Sequence, residues 1–173
     1  MVMMQRQSGF TIIELMTVVA VAAILTVMAL PYMRDILLNQ RVRAAVTEAH
    51  LSLLLTRSEA IKRNANIVMQ KTAAAWNQGW TVVVQADGTV LRTNNAMADV
   101  TFVCNTDANP NTVEACPAQI IFNRTGRPTS KIEYRVYVPG NNKVFMRCVG
   151  ITLSGQPHVE IDTDGDPTNG CES

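Results

Sequence analysis

The chain has 173 residues, of which 47% are hydrophobic, and a formal net charge of +1 at pH 7. This balance gives no general electrostatic attraction to nucleic acid or to an anionic membrane surface. Aromatic residues make up only 5% of the chain, so no extended platform for stacking nucleotide bases is evident. The length favours one soluble domain of about 110 residues in addition to a membrane anchor.

An apolar segment runs from Phe10 to Leu30 and contains a single charged residue, Glu14. About 20 residues of this kind are what a helix needs to cross a bilayer core. A carboxylate within such a segment is costly, so Glu14 is predicted to have a function and a partner. A secretory signal carries its cleavage site after the apolar run, whereas here a short polar leader ends in Gly9. We therefore predict cleavage before the run, which leaves the hydrophobic helix in the mature protein.

The segment from Gly9 to Leu15, with the sequence Gly-Phe-Thr-Ile-Ile-Glu-Leu, resembles the prepilin-peptidase site of type IV pilins and pseudopilins. The resemblance implies that prepilin peptidase cleaves between Gly9 and Phe10 and N-methylates Phe10. It also implies that Glu14 pairs with the N-terminal ammonium of a neighbouring subunit. Opposite charges in a low dielectric offset each other's desolvation, which agrees with that role. The alternative is a plain membrane anchor that tolerates Glu14.

Charge alone does not orient the segment in a membrane. The leader carries one basic residue, Arg6, whereas Arg34, Arg41 and Arg43 follow the apolar run, which opposes a simple positive-inside count. The pilin resemblance implies a single pass through the bacterial inner membrane, with the leader in the cytoplasm and the globular part in the periplasm or on an assembled pilus or pseudopilus.

Pro31 directly follows the apolar segment, and a proline within a helix removes a backbone hydrogen bond and bends the helix. Pilins also carry a proline at this place. Beyond it, apolar residues recur at three- and four-residue intervals, which is typical of an amphipathic helix; they are Leu38, Val42, Ala45, Val46, Ala49, Leu53, Ala60 and Ile61. We therefore predict one helix from about Phe10 to Arg63, bent at Pro31, with Asn64 as its C-cap. The basic residues on its second half are expected to form a solvated face with Glu48 and Glu59; they are Arg41, Arg43, Arg57, Lys62 and Arg63.

From Ile67 the apolar period changes to two, which indicates strands. The Asp87-Gly88 dipeptide is a hairpin signal between two of them. The predicted strands lie at residues 80–85, 89–92, 100–104, 119–123, 132–138, 143–153 and 158–161. One long helix followed only by strands predicts an α+β domain in which the helix lies across an antiparallel sheet.

Three segments, at residues 56–64, 77–83 and 120–127, resemble the GspH/FimT-type minor pilins and pseudopilins. Combined with the patterns above, this resemblance divides the chain into four parts. Residues 1–9 are the leader peptide, residues 10–30 the transmembrane and filament-core helix, residues 31–64 its amphipathic continuation, and residues 65–173 the periplasmic β-sheet domain.

The four cysteines, Cys104, Cys116, Cys148 and Cys171, all lie in the C-terminal half, and none forms a Cys-x-x-Cys pair. An even number of cysteines in a periplasmic domain indicates disulfides rather than a zinc site. Three connectivities are open. We favour Cys104–Cys116 with Cys148–Cys171, because each bond closes a polar or Pro/Gly-rich segment.

Neither catalysis nor a cofactor finds support in the sequence. There is no phosphate-binding glycine loop and no nucleophile motif, and His50 and His158 are isolated in the chain. The tail Asp162-Thr163-Asp164-Gly165-Asp166 has alternating carboxylates that suit calcium, but its glycine and the absence of a later bidentate Glu do not match an EF-hand loop. We expect no enzyme and no metal, and a solvated acidic turn at the tail.

The expected function is that of a minor structural subunit of a type IV pilus, displayed on the filament at its tip and serving pilus assembly, twitching motility or adhesion. Its partners would be other pilin or pseudopilin subunits, prepilin peptidase and the inner membrane. One alternative is a GspH-like pseudopilin of a type II secretion system, and another is a tethered periplasmic binding domain that never enters a filament.

A third alternative is a DNA-binding minor pilin for natural transformation. FimT-type members with that role resemble one another in a basic Gly-Arg-x-Arg element, and the corresponding residues 154–158 contain no arginine. Arg124 and Arg127 flank a turn and form a smaller candidate patch, which the acidic tail opposes. We therefore do not expect DNA as a partner.

Overall fold

The computed structural model of the protein describes residues 10–105, 116–163 and 171, without the side chains of residues 28–31 and 105. The chain divides into two compact units, Met1–Ile36 and Leu37–Ser173. Helix α1, Ile12–Arg63, begins in the first unit and ends in the second. Pro31 belongs to the residues without described side chains, so the bend predicted there stays a prediction.

In the first unit, α1 begins at a threonine cap. The Glu14 backbone N–H donates to Thr11 Oγ1 at 3.3 Å, which satisfies one of the free donors of the first helical turn. Among the described residues, no single helix is both long and apolar enough to cross a membrane, whereas the stretches Ile12–Val27 and Tyr32–Arg63 meet that criterion together, by length and composition.

In the second unit, α1 buries the predicted apolar stripe against the sheets, with the exception of Ile61, which is 52% exposed; the buried members are Leu38, Val42, Ala45, Val46, Ala49, Leu53 and Ala60. The helix ends at Arg63 because Asn64 adopts a φ of 48°, a left-handed conformation that Asn tolerates. The Ala65 backbone N–H then donates to the Ala60 carbonyl at 3.2 Å, as in a Schellman motif.

Within the described residues, eight strands and a short 3₁₀ helix, Trp76–Gln78, follow the helix. The strands are β1 Ile67–Lys71, β2 Trp80–Val84, β3 Val90–Asn94, β4 Thr101–Asn105, β5 Gln119–Phe122, β6 Ile132–Tyr137, β7 Arg147–Ile151 and β8 Pro157–Ile161. These strands pair antiparallel in two four-stranded sheets, the first with the order β3-β2-β1-β5 and the second with the order β4-β6-β7-β8. The predicted α+β class is confirmed. The sheet is split in two because β5 returns to pair with β1, a long-range choice that local alternation does not encode.

Four aromatic residues in the core, Trp76, Trp80, Phe102 and Tyr134, contact one another. Trp76 and Tyr134 pack edge to face with ring centroids 5.1 Å apart, and Trp80 and Phe102 do so at 5.8 Å. The Trp80 indole N–H donates to Ser52 Oγ at 2.9 Å, so this buried donor is satisfied. Burial raises the pKa of Tyr134 well above its ordinary value, which keeps the phenol neutral.

Strand β6 departs from the predicted half-buried pattern. Its outward side chain Arg135 is only 1% exposed, and its Nε lies 4.0 Å from Glu133 Oε1. In the sheet register Arg135 is opposite Cys148, and Cys148 is disulfide-bonded to Cys171. The C-terminal cysteine therefore lies over the outer face of this sheet and covers it, which alternation within β6 does not reveal.

The second disulfide joins Cys104, in β4, to Cys116. These two bonds form the connectivity favoured from the sequence. They close segments of 12 and 23 residues, and cross-links over such lengths stabilise a fold chiefly by restricting the unfolded chain.

Candidate assembly surfaces

The N-terminal part of α1 is apolar around its whole circumference. Every large apolar side chain described from Phe10 to Val27 is at least 56% exposed, and Phe10 itself is 82% exposed. These residues are Phe10, Ile12, Ile13, Leu15, Met16, Val18, Val19, Val21, Ile24, Leu25 and Val27. A helix that is hydrophobic all round is stable in a membrane or within a bundle of other helices. This surface therefore needs an apolar environment that the chain itself does not provide within its described residues.

Glu14 lies in the first turn of this apolar helix. Its backbone carbonyl accepts a hydrogen bond from the Thr17 hydroxyl at 2.9 Å, and its carboxylate forms no ion pair with a described residue. A carboxylate near the N-terminus of a helix interacts favourably with the helix dipole. In apolar surroundings, however, it also requires a cation as its partner. Gly9, the other predicted processing residue, lies outside the described residues.

A polar network fastens α1 to the first sheet. Arg92 Nη2 and Asn94 Nδ2 both donate to Glu48 Oε2, at 2.5 and 2.7 Å. Asn94 Oδ1 accepts in turn from Arg92 Nε at 3.1 Å and from the Ser52 hydroxyl at 3.4 Å. Because Ser52 also accepts from Trp80, the network runs from the surface into the core. Glu48 was expected on a solvated face because no local pattern in the sequence links it to residues more than 40 positions away.

Three of the five basic residues on the second half of the helix pair with carboxylates. Arg41 forms an ion pair with Asp99, whereas Lys62 and Arg63 contact Glu59 at 3.3 and 2.5 Å. The hydrogen bond from Arg63, supported by Lys62, holds the pKa of Glu59 below its ordinary value. The solvated face predicted for this helix thus has specific pairs, while Arg43 and Arg57 form none with the described residues.

Arg124 and Arg127 are both exposed on a turn that Asn123 organises. Asn123 Oδ1 accepts from the backbone N–H of Arg127 at 3.0 Å. The turn contacts the helix so closely that a Cβ at Gly126 would lie 3.1 Å from Arg57 Cγ. The structure therefore brings the backbone that carries both arginines next to Arg57 of the helix, a juxtaposition that the spacing along the chain does not predict.

The isolated histidines take no part in a metal cluster within the described part of the chain, where no three His, Cys, Asp or Glu side chains converge. The His158 ring lies across Gly150, since a Cβ there would be 2.6 Å from the ring. His50 lies on α1 and is half-buried. The calcium alternative concerned residues 162–166, of which residues 164–166 lie outside the described residues.

Comparison with protein families gives two matches. The model of "Type II transport protein GspH" matches residues 45–155, and the model of the "Prokaryotic N-terminal methylation motif" matches residues 4–30. A search of curated protein sequences gives no significant match.

Among solved structures, the chain is similar to the type IV minor pilin FimU of Pseudomonas aeruginosa, with 19% identity and a TM-score of 0.58 over 70% of this chain and 89% of that one. It is also similar to EpsH, the minor pseudopilin of the type 2 secretion system of Vibrio cholerae. That match has 12% identity and a TM-score of 0.53 over 70% of this chain and 97% of the other. At these identities the likeness shows a common fold, with a long helix packed on antiparallel sheets.

Proposed function

Because the chain belongs to the GspH family, we propose that this pilin-class subunit is a minor structural component of a type IV pilus, located at the filament tip. In this proposal residues 1–9 are a leader that prepilin peptidase removes, and Phe10 becomes the N-methylated first residue. Residues 10–30 span the inner membrane before assembly and the filament core after it. Residues 31–64 continue the helix, with a bend at Pro31, and residues 65–173 form the displayed periplasmic domain.

The observation that carries the proposal is the uncovered apolar helix within the segment that the methylation-motif model matches, residues 4–30. Full burial of a large apolar side chain stabilises by roughly 1.5–3 kcal/mol, and eleven such side chains from Phe10 to Val27 are exposed. A bilayer covers them before assembly, and the helices of neighbouring subunits cover them afterwards. No catalytic role is needed to account for this surface.

Glu14 has a defined task in this scheme. After cleavage, the N-methylated ammonium of Phe10 is the cation that its neighbour's Glu14 carboxylate requires in apolar surroundings. The ion pair offsets the desolvation of both charges. It can form at only one axial offset between two neighbouring subunits. Glu14 would therefore set the register of the subunit in the filament.

The test is mass spectrometry of pili sheared from the surface of the producing cell, compared with the inner-membrane fraction. A peptide that begins at N-methylated Phe10 in the sheared fraction is the expected result. Processed protein that remains in the inner membrane would instead support a secretion pseudopilus, and protein that retains residues 1–9 would contradict the assignment.

The second candidate is a pseudopilin of a type II secretion system, which the description of the matching family model favours. The two functions use the same helix, so they differ in where the assembled subunit is found and in what its loss affects. Deletion of the gene should abolish surface pili in the first case and protein secretion in the second.

A third candidate is DNA binding, favoured by the juxtaposition of Arg57 with the turn of Arg124 and Arg127. Phosphate contacts release counterions, so such binding must weaken steeply with salt. This candidate requires that DNA retains the full chain at low salt. Moderate salt should abolish the retention, and so should the Arg124→Ala/Arg127→Ala substitutions at low salt. Retention that does not change with these substitutions would remove it.

A further inference from the structure

The helix-facing side of strand β8 forms an open groove with α1, which we call the α1–β8 groove. Arg43, His50 and Leu51 line it from the helix, and Arg147, Val159 and Ile161 line it from strands β7 and β8. Its volume is about 470 Å³. All of these residues lie within the unit Leu37–Ser173.

The groove exists because α1 covers strand β7 but leaves strand β8 open. The register places Val149 of β7 opposite Val159 of β8, so both side chains point towards the helix. Val149 is fully buried, whereas Val159 and Ile161 remain 42% and 49% exposed. Leu51, on the helix side, is also 43% exposed. An apolar surface next to a packed core is thus left uncovered.

Strand β8 is also the edge of its sheet, since it pairs with β7 and with no other described strand. An edge strand presents backbone N–H and C=O groups along its free side, and an extended segment of another chain can pair with them. The open edge and the uncovered apolar face belong to the same strand.

The charge in the groove is positive. Arg43 and Arg147 form no ion pair with a described residue, and burial, followed by repulsion from Arg43, lowers the pKa of Arg147. Arg147 Nε and His50 Nδ1 are buried and have no hydrogen-bond partner in the described part of the chain. The nearest acidic residue on the edge strand, Glu160, is opposite Cys148 and points to the other face of the sheet. An anionic group in the groove would therefore meet two guanidinium groups that are not paired with any residue the structure describes.

We propose that the α1–β8 groove binds an extended, acidic segment of a neighbouring pilin-class subunit. A carboxylate of that segment lies between Arg43 and Arg147, its aliphatic side chains cover Val159 and Ile161, and its backbone pairs with the free edge of β8. A peptide meets all three requirements, whereas a phosphate backbone or a lipid headgroup supplies the charge but no strand. The inference rests on the proposed assembly function, because the segment is supplied by another subunit of the filament.

The experiment uses the full-length chain in the producing cell, with a photo-crosslinking amino acid at Val159 and, in a second strain, at Leu15 on the apolar helix. The expected adduct from Val159 maps by mass spectrometry to an Asp- or Glu-containing segment of another protein with an N-terminal methylation motif. Arg43→Glu should reduce this adduct about tenfold, since a charge at an interface is worth on the order of 1.4 kcal/mol. Arg147→Glu should act in the same direction.

Two controls keep the outcome interpretable. Arg124→Glu makes the same charge reversal on an exposed turn outside the groove and should leave the adduct unchanged. Replacement of the mapped acidic residue by Lys in the partner should restore the adduct of the Arg43→Glu variant. Arg43 is exposed on the helix, so its substitution leaves the fold intact, and oxidised disulfides on a non-reducing gel verify this.

Three results would overturn the proposal. They are the absence of a Val159 adduct, an adduct only with lipid or nucleic acid, and an adduct whose amount Arg43→Glu does not change. If Leu15 still cross-links to other subunits in that case, the groove inference alone fails. If Leu15 also gives no adduct with another subunit, the proposed assembly function fails with it.

Discussion

Arg92 of strand β3 donates to Glu48 of helix α1 over 2.5 Å, although the two residues are 44 positions apart. Both side chains are partly exposed, at 33% and 38%, but the neighbouring Asn94 that shares the carboxylate is buried. The pair therefore forms the outer end of a network whose inner end is the hydrogen bond between Ser52 and Trp80. It fixes the helix on the first sheet at a defined position.

We predict that Glu48→Ala lowers the free energy of unfolding by about 1–3 kcal/mol, because it leaves the buried Asn94 amide without an acceptor. Glu48→Gln should cost less, since its amide oxygen still accepts one hydrogen bond. Chemical denaturation of the full chain in detergent measures both. The matched control is Glu59→Ala on the same helix, which removes only the surface ion pairs with Lys62 and Arg63, together worth about 0.5 kcal/mol. Equal losses for Glu48→Ala and Glu59→Ala would show that the network adds no stability.

Gly155 is predicted to be far less tolerant of alanine than Gly88. Both have positive φ values, +82° and +72°, but a Cβ at Gly155 would lie 2.0 Å from the Gly126 carbonyl oxygen, while nothing lies within 4 Å of one at Gly88. Gly88→Ala should therefore cost only about 1 kcal/mol for the left-handed backbone, and Gly155→Ala at least about 2 kcal/mol more, since two turns must separate. Thermal unfolding of the two variants side by side tests this, and similar melting temperatures would refute it.

Loss of the Cys148–Cys171 disulfide should expose Arg135. The bond covers the outer face of the second sheet, so Cys148→Ser/Cys171→Ser should lower stability by about 2–4 kcal/mol. It should also raise the hydrogen-exchange rate of strand β6, whereas the first sheet should stay protected. The comparison is Cys104→Ser/Cys116→Ser, because that bond joins Cys116 to strand β4 on the inner face of the same sheet, where Cys104 is opposite Tyr134, and its removal leaves the cover over Arg135 in place. Unchanged exchange in β6 after removal of the Cys148 bond would contradict the prediction.

The Glu59 cluster predicts a small dependence of stability on pH. Its folded pKa is lowered, so the unfolded state binds more protons, and the contribution to stability is present above the pH where an unfolded Glu titrates, near about 4.3. It is lost as the pH falls through the lower folded pKa. Because Lys62 and Arg63 are largely solvated, the effect should stay below about 0.5 kcal/mol. The wild type should exceed Glu59→Gln in melting temperature at pH 7 and match it at pH 3, and a constant difference at both pH values would refute the assignment.

Glu14→Ala should leave cleavage and N-methylation intact but lower the amount of subunit in sheared pili by at least about tenfold, since one unpaired ammonium in apolar surroundings costs more than 1.4 kcal/mol. Quantitative mass spectrometry of sheared and membrane fractions gives the ratio. Thr17→Ala, on the same helix, is the matched control and should assemble normally. Assembly of Glu14→Ala at the wild-type level would show that the subunit enters the filament without this ion pair, and would contradict the role proposed for Glu14.

Local patterns in the sequence predict most of the secondary structure of this protein. Three patterns in the sequence locate the ends of the helix and strands to within a few residues. They are the apolar run with its lone Glu14, the three- and four-residue spacing of apolar residues after it, and the change to a period of two at Ile67. These properties depend on neighbours along the chain, where helix and strand geometry dictate which side chains share a face. The family match over residues 45–155 agrees with the resemblance carried by the same segments.

Tertiary structure alone decided the pairing of distant groups. Four features depend on contacts between residues far apart in the chain. They are the division into two sheets, the burial of Arg135, the hydrogen bond between Glu48 and Arg92, and the exposed side of Val159. Strands with equivalent alternation can pair in several orders, and only the packing of the helix on both sheets selects one of them. The sequence by itself therefore determined the elements and the apolar helix that needs partners, while the fold determined which charged and apolar surfaces are left to meet them.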